Sequence, residues 1–327
     1  MVRRLAGALL CLPISGCEGI QSALAPTGPI AREIAALWWG MLIAATLIFA
    51  LVVALLLYAA LRAPERRKPI PPRRLIYAGG IALPVVALSV LMPIGVQVGS
   101  GASAPAEPHT IRIHVTGYQW WWDVEYDLGS PATRFTTANE IVLPINAPVE
   151  LRLRSTDVIH SLWIPSLAGK IDLIPGRENR VMIEADREGV FRGQCAEFCG
   201  MAHAQMALHV VAMRPDRFDE WAERQLRPAS RPDGGDAEEG AGLFLATGCP
   251  LCHTVRGTGA WGHAGPDLTH VGSRLAIGAG ALANTPENVA WWIAHNDSVK
   301  PRNRMPEYYD LPLDVRMKIA TYLETLE

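Results

Sequence analysis

Net charge is nearly missing from this sequence, where 30 Lys and Arg stand against 32 Asp and Glu and leave −2. That balance excludes the strongly basic surface on which nucleic-acid binders depend. Acidic residues are scarce in the first hundred positions, three against nine Lys and Arg, whereas 105–227 and 228–327 are both mildly acidic. Two stretches carry no charge at all, Ala35–Leu61 and Leu75–Val98. Cysteine is also scarce, six residues at 11, 17, 195, 199, 249 and 252. The last four form tight pairs, which points to metal or haem chemistry more than to a disulfide framework. No internal repeat is visible, so the chain reads as a row of different domains.

The charge-free runs are about 27 and 24 residues long, and each exceeds the roughly 20 needed to cross the hydrocarbon core. Between them lie Arg62, Arg66, Arg67, Lys68, Arg73 and Arg74 against Glu65 alone. By the positive-inside rule this loop is cytoplasmic, and everything after residue 100 lies on the outer side. Residues 1–17 place Arg3 and Arg4 before an apolar run that ends in Ser15-Gly16-Cys17, the plan of a secretory signal. Ile14-Ser15-Gly16-Cys17 is similar to a lipoprotein box with Cys17 as the lipidated residue; ordinary cleavage nearby is the alternative. The predicted organisation is a signal over 1–17 and a transmembrane hairpin over 18–104, with helices at about 35–61 and 75–98.

The small and Pro-rich stretch 99–108 reads as a linker, and alternation takes over after it. Ile111, Ile113 and Val115, then Leu151 and Leu153, Val181 and Ile183, and Leu208 and Val210 each alternate with other residues. Short alternating runs separated by turn residues predict a β-sandwich or barrel over 105–226. It is closed by a helix at 215–225 that starts on Pro215. Residues 227–235 form a polar linker. From Asp236 to residue 327 the pattern is helical, with Val315, Ile319, Tyr322, Leu323 and Leu326 at helical spacing.

Two stretches carry chemistry. Cys195-Ala196-Glu197-Phe198-Cys199-Gly200-Met201-Ala202-His203-Ala204-Gln205-Met206 offers two thiolates, an imidazole, a thioether and a carboxylate on one loop. Soft sulfur with imidazole selects copper, zinc or iron–sulfur over magnesium or calcium, and the thioether favours copper. A disulfide between Cys195 and Cys199 is the plain alternative. His160, which follows an alternating strand, is the candidate for a ligand from elsewhere. Two thiolates rather than one favour a pair of coppers sharing both sulfurs.

The second stretch, Cys249-Pro250-Leu251-Cys252-His253, is the attachment signature of a c-type haem. The two cysteines would bond the porphyrin and His253 would be an axial ligand. Met305 in Arg304-Met305-Pro306 is the expected second axial ligand, since His/Met ligation suits electron transfer. His263, His270 and His295 are its rivals, the first two read as surface or loop residues. Gly265-Pro266-Asp267-Leu268 is expected to turn the chain under the haem edge. A zinc or redox C-x-x-C is the alternative.

Nearly the whole chain resembles subunit II of cytochrome c oxidase, in the bacterial type with a C-terminal cytochrome c domain. The residues carrying the resemblance are Gly117-Tyr118-Gln119-Trp120-Trp121-Trp122, Asp157-Val158-Ile159-His160-Ser161, Pro165-Ser166-Leu167, Ile174-Pro175-Gly176-Arg177 and the 195–206 loop. It implies a cupredoxin-like sandwich and an all-α class I cytochrome c domain behind the two-helix hairpin. It also implies a dinuclear CuA centre held by His160, Cys195, Cys199, His203, Met206 and the Glu197 carbonyl. The Glu197 carboxylate would bind magnesium at the interface with subunit I, and Trp120 matches the electron-input tryptophan, with Trp121 as its rival. Implied partners are subunits I and III, cytochrome c or another donor, and a bacterial inner membrane holding both domains on its outer side. The implied role is electron input to an oxidase that reduces oxygen to water with proton pumping. Neither apolar run contains a His, so the oxygen-reducing centre would belong to subunit I.

The sequence departs from the family in one place. Tyr77 stands where many relatives have a glutamate that assists proton uptake, which puts that route in the partner subunit in doubt. Three other readings fit less of the chain. A thioredoxin-type copper chaperone has neither the Met after the loop His nor a second membrane helix. A quinol oxidase subunit II has lost the copper ligands, and a nitrous oxide reductase needs a propeller for which there is no room.

Overall fold

A computed structural model describes residues 18–66, 71–101 and 111–327 of the chain. The signal and lipobox expected at 1–17, including Cys11 and Cys17, lie outside the described residues, as do Arg67, Lys68 and part of the expected linker.

Two long apolar helices come first. α1 runs Pro29–Leu61. The second begins as α2 (Pro72–Leu75), passes through a π-helical stretch at Ile76–Ala82 and continues as α3 (Leu83–Gly101). Both are long and apolar enough to cross a membrane, and their large side chains face outward (Phe49, Leu61, Val86 and Met92 are all exposed). A helix that is apolar all round is stable only in such surroundings. α1 starts six residues before the apolar run. Its first turns carry Arg32, which pairs with Asp186 of the folded domain beyond. Charge at a helix entrance is invisible to a criterion built on uncharged residues. The chain before α1 is also fastened to that domain: Thr27 N–H donates to the Ser166 carbonyl (2.7 Å), and Asp186 N–H donates to the Thr27 carbonyl (2.9 Å).

The middle of the chain forms two five-stranded sheets. Its strands are β1 (Ile111–Tyr118), β2 (Trp121–Asp127), β3 (Arg134–Ala138), β4 (Glu140–Pro144), β5 (Val149–Ser155), β6 (His160–Trp163), β7 (Ile171–Leu173), β8 (Asn179–Ile183), β9 (Gly189–Cys195) and β10 (Ala207–Met213). One sheet has the order β3-β2-β1-β5-β8 and the other β4-β10-β9-β6-β7. β1 and β5 are parallel, as are β4 and β10, while β9 and β10 are antiparallel. The alternation seen in the sequence becomes the pleat, with Ile113, Val115, Trp122, Val124, Leu151 and Leu153 fully buried between the sheets. α4 (Pro215–Leu226) begins on Pro215 and closes one side. Its Trp221 packs edge-on to Tyr126 and Phe135, at centroid distances of 5.2 and 5.4 Å.

The last part is helical: α5 (Gly235–Ala246), α6 (Pro286–Val299) and α7 (Leu313–Glu324), with two small hairpins between. α5 and α7 cross where Gly240 lies against the Lys318 carbonyl, too close for any Cβ. Phe244, Val289, Ile293, Ile319, Tyr322 and Leu323 form a second core, separate from that of the sandwich. Residues 227–235 are held by the helical domain at two points. The Ala229 N–H donates to the Arg256 carbonyl (2.8 Å), and His270 Nε2 sits 3.0 Å from the Arg227 carbonyl.

Candidate metal and haem centres

Strand ends and one loop assemble the first site. β9 ends on Cys195 and pairs with β6, which begins at His160; Cys195 stands opposite Leu162, and His160 lies two positions along the same strand. Cys195 Sγ lies 3.9 Å from His160 Nδ1, 3.7 Å from Cys199 Sγ and 3.2 Å from the Glu197 carbonyl oxygen. Cys199 Sγ is 3.6 Å from His203 Nδ1 and 3.9 Å from Met206 Sδ. All six residues expected from the sequence therefore converge. The ligating atoms of His160, Cys195 and Cys199 lie within 4.8 Å of one another, and all three residues are buried. Both cysteines are free thiols, which removes the disulfide alternative. The Glu197 side chain points out of this cluster and is exposed.

The loop that returns the chain to β10 is closed by its own backbone. Met206 carbonyl accepts from Cys195 N–H (2.8 Å), and Met206 N–H donates to the His203 carbonyl (3.2 Å). β1 leaves room for the His160 ring because position 117 is glycine; a Cβ there would lie 2.8 Å from His160 Cδ2.

The electrostatics favour a cation. Burial works against charge on His160, yet Cys195 and Asp157 together raise its pKa. His160 Nε2 lies 2.9 Å from Asp157 Oδ1, so the ring's other nitrogen faces Cys195. Burial opposes ionisation of Asp157, but the His160 contact and the N–H groups of Val158 and Gln119 hold its pKa down. The contact with Cys199 lowers the Cys195 pKa far below the thiol range, with His160 helping. Its own contact with Cys195, together with burial, pushes Cys199 up. One thiolate forms readily, and the second needs a nearby positive charge, which a bound metal ion supplies. Asp157 is the partner that sequence reasoning missed as a functional residue, though it stands three positions before His160 within the quoted motif.

The second site is a cavity of about 320 Å³ between the helical domain and the sandwich. Cys249, Cys252, His253 and Met305 line it from one side, Tyr118, Trp120 and Trp121 from the other. His253 Nδ1–H donates to the Pro266 carbonyl (2.8 Å), leaving Nε2 with its lone pair. Burial, with Arg274 adding to it, lowers the His253 pKa and keeps the ring neutral, the form that ligates iron. The 265–268 turn thus has a specific task, orienting this ring. Of the rival histidines, His263 is exposed at the cavity rim and His295 packs against Trp291 at 5.2 Å. His270 lies in a turn, within the expectation of a surface or loop residue, but it is buried, with Nδ1 2.8 Å from a Glu327 main-chain oxygen and Nε2 on the Arg227 carbonyl. Its two nitrogens are occupied because it ties the C-terminus to the 227–235 segment.

Trp120 joins the two sites. Its indole N–H donates to the Cys199 carbonyl (3.0 Å), as does the Gln119 side-chain amide (2.7 Å). Trp121 instead stacks on Tyr118 at 4.7 Å and is only partly buried. Trp120 is 6% exposed, packed with the sandwich core at the edge of the cavity. Across that boundary Lys300 Nζ donates to the Trp120 carbonyl, Ala207 N–H donates to the Ala279 carbonyl (3.0 Å), and Leu275 N–H donates to Glu140 Oε2 (3.0 Å). Burial lowers the Lys300 pKa to about 7 and raises that of Glu140.

Residues 111–213 match the family described as cytochrome c oxidase subunit II, periplasmic domain, and residues 237–327 match cytochrome c. A cytochrome c oxidase subunit 2 of Alkalihalophilus pseudofirmus is 34% identical over 97% of this chain and 95% of that protein. The cytochrome c oxidase subunit 2 of Bacillus sp. strain PS3 is 34% identical over 62% of this chain and 58% of its own. Among solved structures, the periplasmic domain of subunit II of cytochrome oxidase (CoxB) of Bradyrhizobium japonicum is 30% identical. It covers 37% of this chain and 96% of its own, with a TM-score of 0.34.

Proposed function

The chain belongs to the cytochrome c oxidase subunit II family, in the form with a C-terminal cytochrome c domain, and from that membership we propose a specific electron route. Electrons from a donor would arrive at a haem c in the helical domain, move to a dinuclear CuA centre in the sandwich, and leave for subunit I. When bound, these two groups supply one-electron transfer, which in the complete oxidase feeds oxygen reduction to water with proton pumping.

The donor sets fit both groups. Buried thiols, two imidazoles, a thioether and a free carbonyl within a few ångströms are the ligands soft copper takes, so His160, Cys195, Cys199, His203, Met206 and the Glu197 carbonyl would hold it. Cys249 and Cys252 would bond the porphyrin, and His253 and Met305 would ligate its iron in a cavity with apolar walls. The exposed Glu197 carboxylate would take magnesium at the subunit I interface.

One observation carries the route. The Trp120 ring borders the haem cavity while its N–H is bonded to the carbonyl of Cys199, one of the proposed copper ligands. No Trp121 contact of that kind occurs among the described residues, which favours Trp120 as the connecting residue. A diffusing cytochrome c has no access to a tryptophan covered this well, so the fused domain takes the place of such a donor at this patch, and the external donor hands electrons to the haem domain instead.

Orientation follows from charge. Arg62, Arg66, Arg73 and Arg74 between the helices put that turn in the cytoplasm. Both domains then face the periplasm from a bacterial inner membrane, with subunits I and III as neighbours. Tyr77 lies exposed on the second helix, where a proton route in subunit I would have to do without a carboxylate from this chain.

The test is stopped-flow reduction of the purified oxidase, following haem c and copper separately. Trp120→Ala should leave haem c reduction intact and slow copper reduction by about a hundredfold, the scale on which small misplacements act. Copper reduced at the parent rate would sink the route. Metal analysis on the same sample should give two coppers and one covalent haem per chain.

A further inference from the structure

Lys300 is the residue that the route leaves unexplained. It caps the end of α6 and is 3% exposed. A buried ammonium costs several kcal/mol unless its donors are accepted. No ion pair involves it among the described residues. Its Nζ donates instead to two carbonyls, that of Trp120 in the sandwich and that of Gly278 (3.2 Å) in its own domain. Lysine is the side chain most easily left in water, with a long flexible stem and three donors. Here the stem lines the cavity wall and the charged end reaches across the domain boundary.

The backbone of Lys300 belongs to the loop that presents Met305. Asn303 Nδ2 donates to the Lys300 carbonyl (3.0 Å), and Asn303 Oδ1 accepts from the Met305 N–H (2.9 Å). Hydrogen bonds, joined through the Lys300 and Trp120 residues themselves, therefore link Met305 through Asn303 and Lys300 to Trp120, and Trp120 to Cys199.

We propose that Lys300 is a positioning residue: its ammonium, clamped on the Trp120 carbonyl, locks the cytochrome domain onto the sandwich and fixes the Met305 side of the cavity against the Trp120 ring. Charge-assisted hydrogen bonds are the strong ones. Because a single donor group, charged below about pH 7, spans both domains, the lock acts on their relative placement rather than on either core. The importance of that placement rests on the Trp120 route, but the lock itself can be tested without it.

The test compares the haem- and copper-loaded full chain with its Lys300→Met variant, which keeps length and apolar bulk. Radical oxidation of Trp120 and amide exchange over 118–122 report docking, and the Met–iron absorption band reports the axial ligand. Trp120 should label about tenfold faster in the variant, since a hydrogen bond to a charged group is worth at least that in an equilibrium. The Met–iron band should stay in place, and Lys300→Arg, which keeps the cation, should restore protection. Labelling at the parent rate would overturn the lock. So would loss of the band, a failure of Lys300→Met to load haem, or a Lys300→Arg variant as open as the Met one. Parent-rate copper reduction in Trp120→Ala would strike at the route alone.

Discussion

In the sandwich, the ligand atoms of His160, Cys195 and Cys199 already stand within 4.8 Å of one another; in the helical domain, Cys249, Cys252, His253 and Met305 are spread around a cavity of about 320 Å³. The sandwich holds its site with a core that does not need it: Trp122, Tyr126, Leu143 and Leu153 are fully buried and belong to neither ligand set. The helical domain packs Val289, Ile293, Leu323 and Met305 directly along the cavity, so its core and its cofactor site are largely the same object. One region presents a small ion to an existing frame, and the other is completed by a large apolar group. Loss of the group should therefore have opposite consequences in the two domains.

The largest effect tests that contrast directly. A Cys249→Ala, Cys252→Ala chain made without covalent haem should lose the cooperative unfolding of its helical domain. At about 24 cal/mol per Å³ of unfilled volume, a cavity of this size costs roughly 8 kcal/mol at most, comparable to the whole stability of a small domain. Calorimetry should show one transition missing and the sandwich transition kept. Stripping copper with a chelator should leave the sandwich transition within a few degrees of its loaded position. A haem-free chain with both transitions intact would break the comparison.

Next in size is a glycine on the copper side. Gly117→Ala puts a methyl group 2.8 Å from His160 Cδ2, too close for both to stay in place. The strand cannot retreat, since β1 is paired on both edges, with β2 and β5. Overpacking of this kind costs about 1–3 kcal/mol, and displacement of a ligand should cost copper affinity about tenfold or more. Copper titration against a competing chelator and a melt of the same sample separate the two. Weakened copper with a melt lowered by only a few degrees is the expected result. A large loss of stability with copper binding unchanged would mean that frame and site are not separable here.

Much of this could be read from the residues alone, and the reason is locality. The copper loop spans twelve positions and the haem signature five, so their spacing is visible without any fold. The membrane runs and strand alternation are equally local, as are the two linked Trp and Asp-x-x-His stretches. The contacts between the sandwich and the helical domain are not legible. Lys300 and Trp120 are 180 positions apart, and Leu275 reaches Glu140 across 135. No periodicity marks such partners, and a lysine in a polar loop gives no sign that it will be buried. The burial of His270 is hidden for the same cause: its two partners, Arg227 and Glu327, belong to distant segments. What stayed hidden is therefore the interface, which is also where the two regions depend on each other.

Asp123 sets the smallest effect, and it lies on that interface. Burial raises its pKa to about 7, Glu125 and Asp267 add to the rise, and Arg274 offsets part of it. Asp123 and Glu125 belong to β2, whereas Asp267 and Arg274 come from the helical domain, so the carboxyl reports on docking. In the unfolded chain its pKa is near 3.8. Between about pH 4 and 7 the folded protein thus holds a proton that the unfolded chain has lost. A raised carboxyl contributes its stability below the unfolded pKa and loses it as pH climbs through the folded value. The penalty is complete above about pH 7, where a charged, half-buried carboxylate faces Asp267. Asp123→Asn, which cannot ionise, should raise stability at pH 8 by about 1–2 kcal/mol, less than the full shift implies because the side chain keeps some contact with water. The gain should shrink steadily toward pH 4. Melting curves of the loaded full chain across that range decide the matter: a gain independent of pH would mean that the asparagine improves packing, and no gain at pH 8 would mean that Arg274 already neutralises the carboxylate across the boundary.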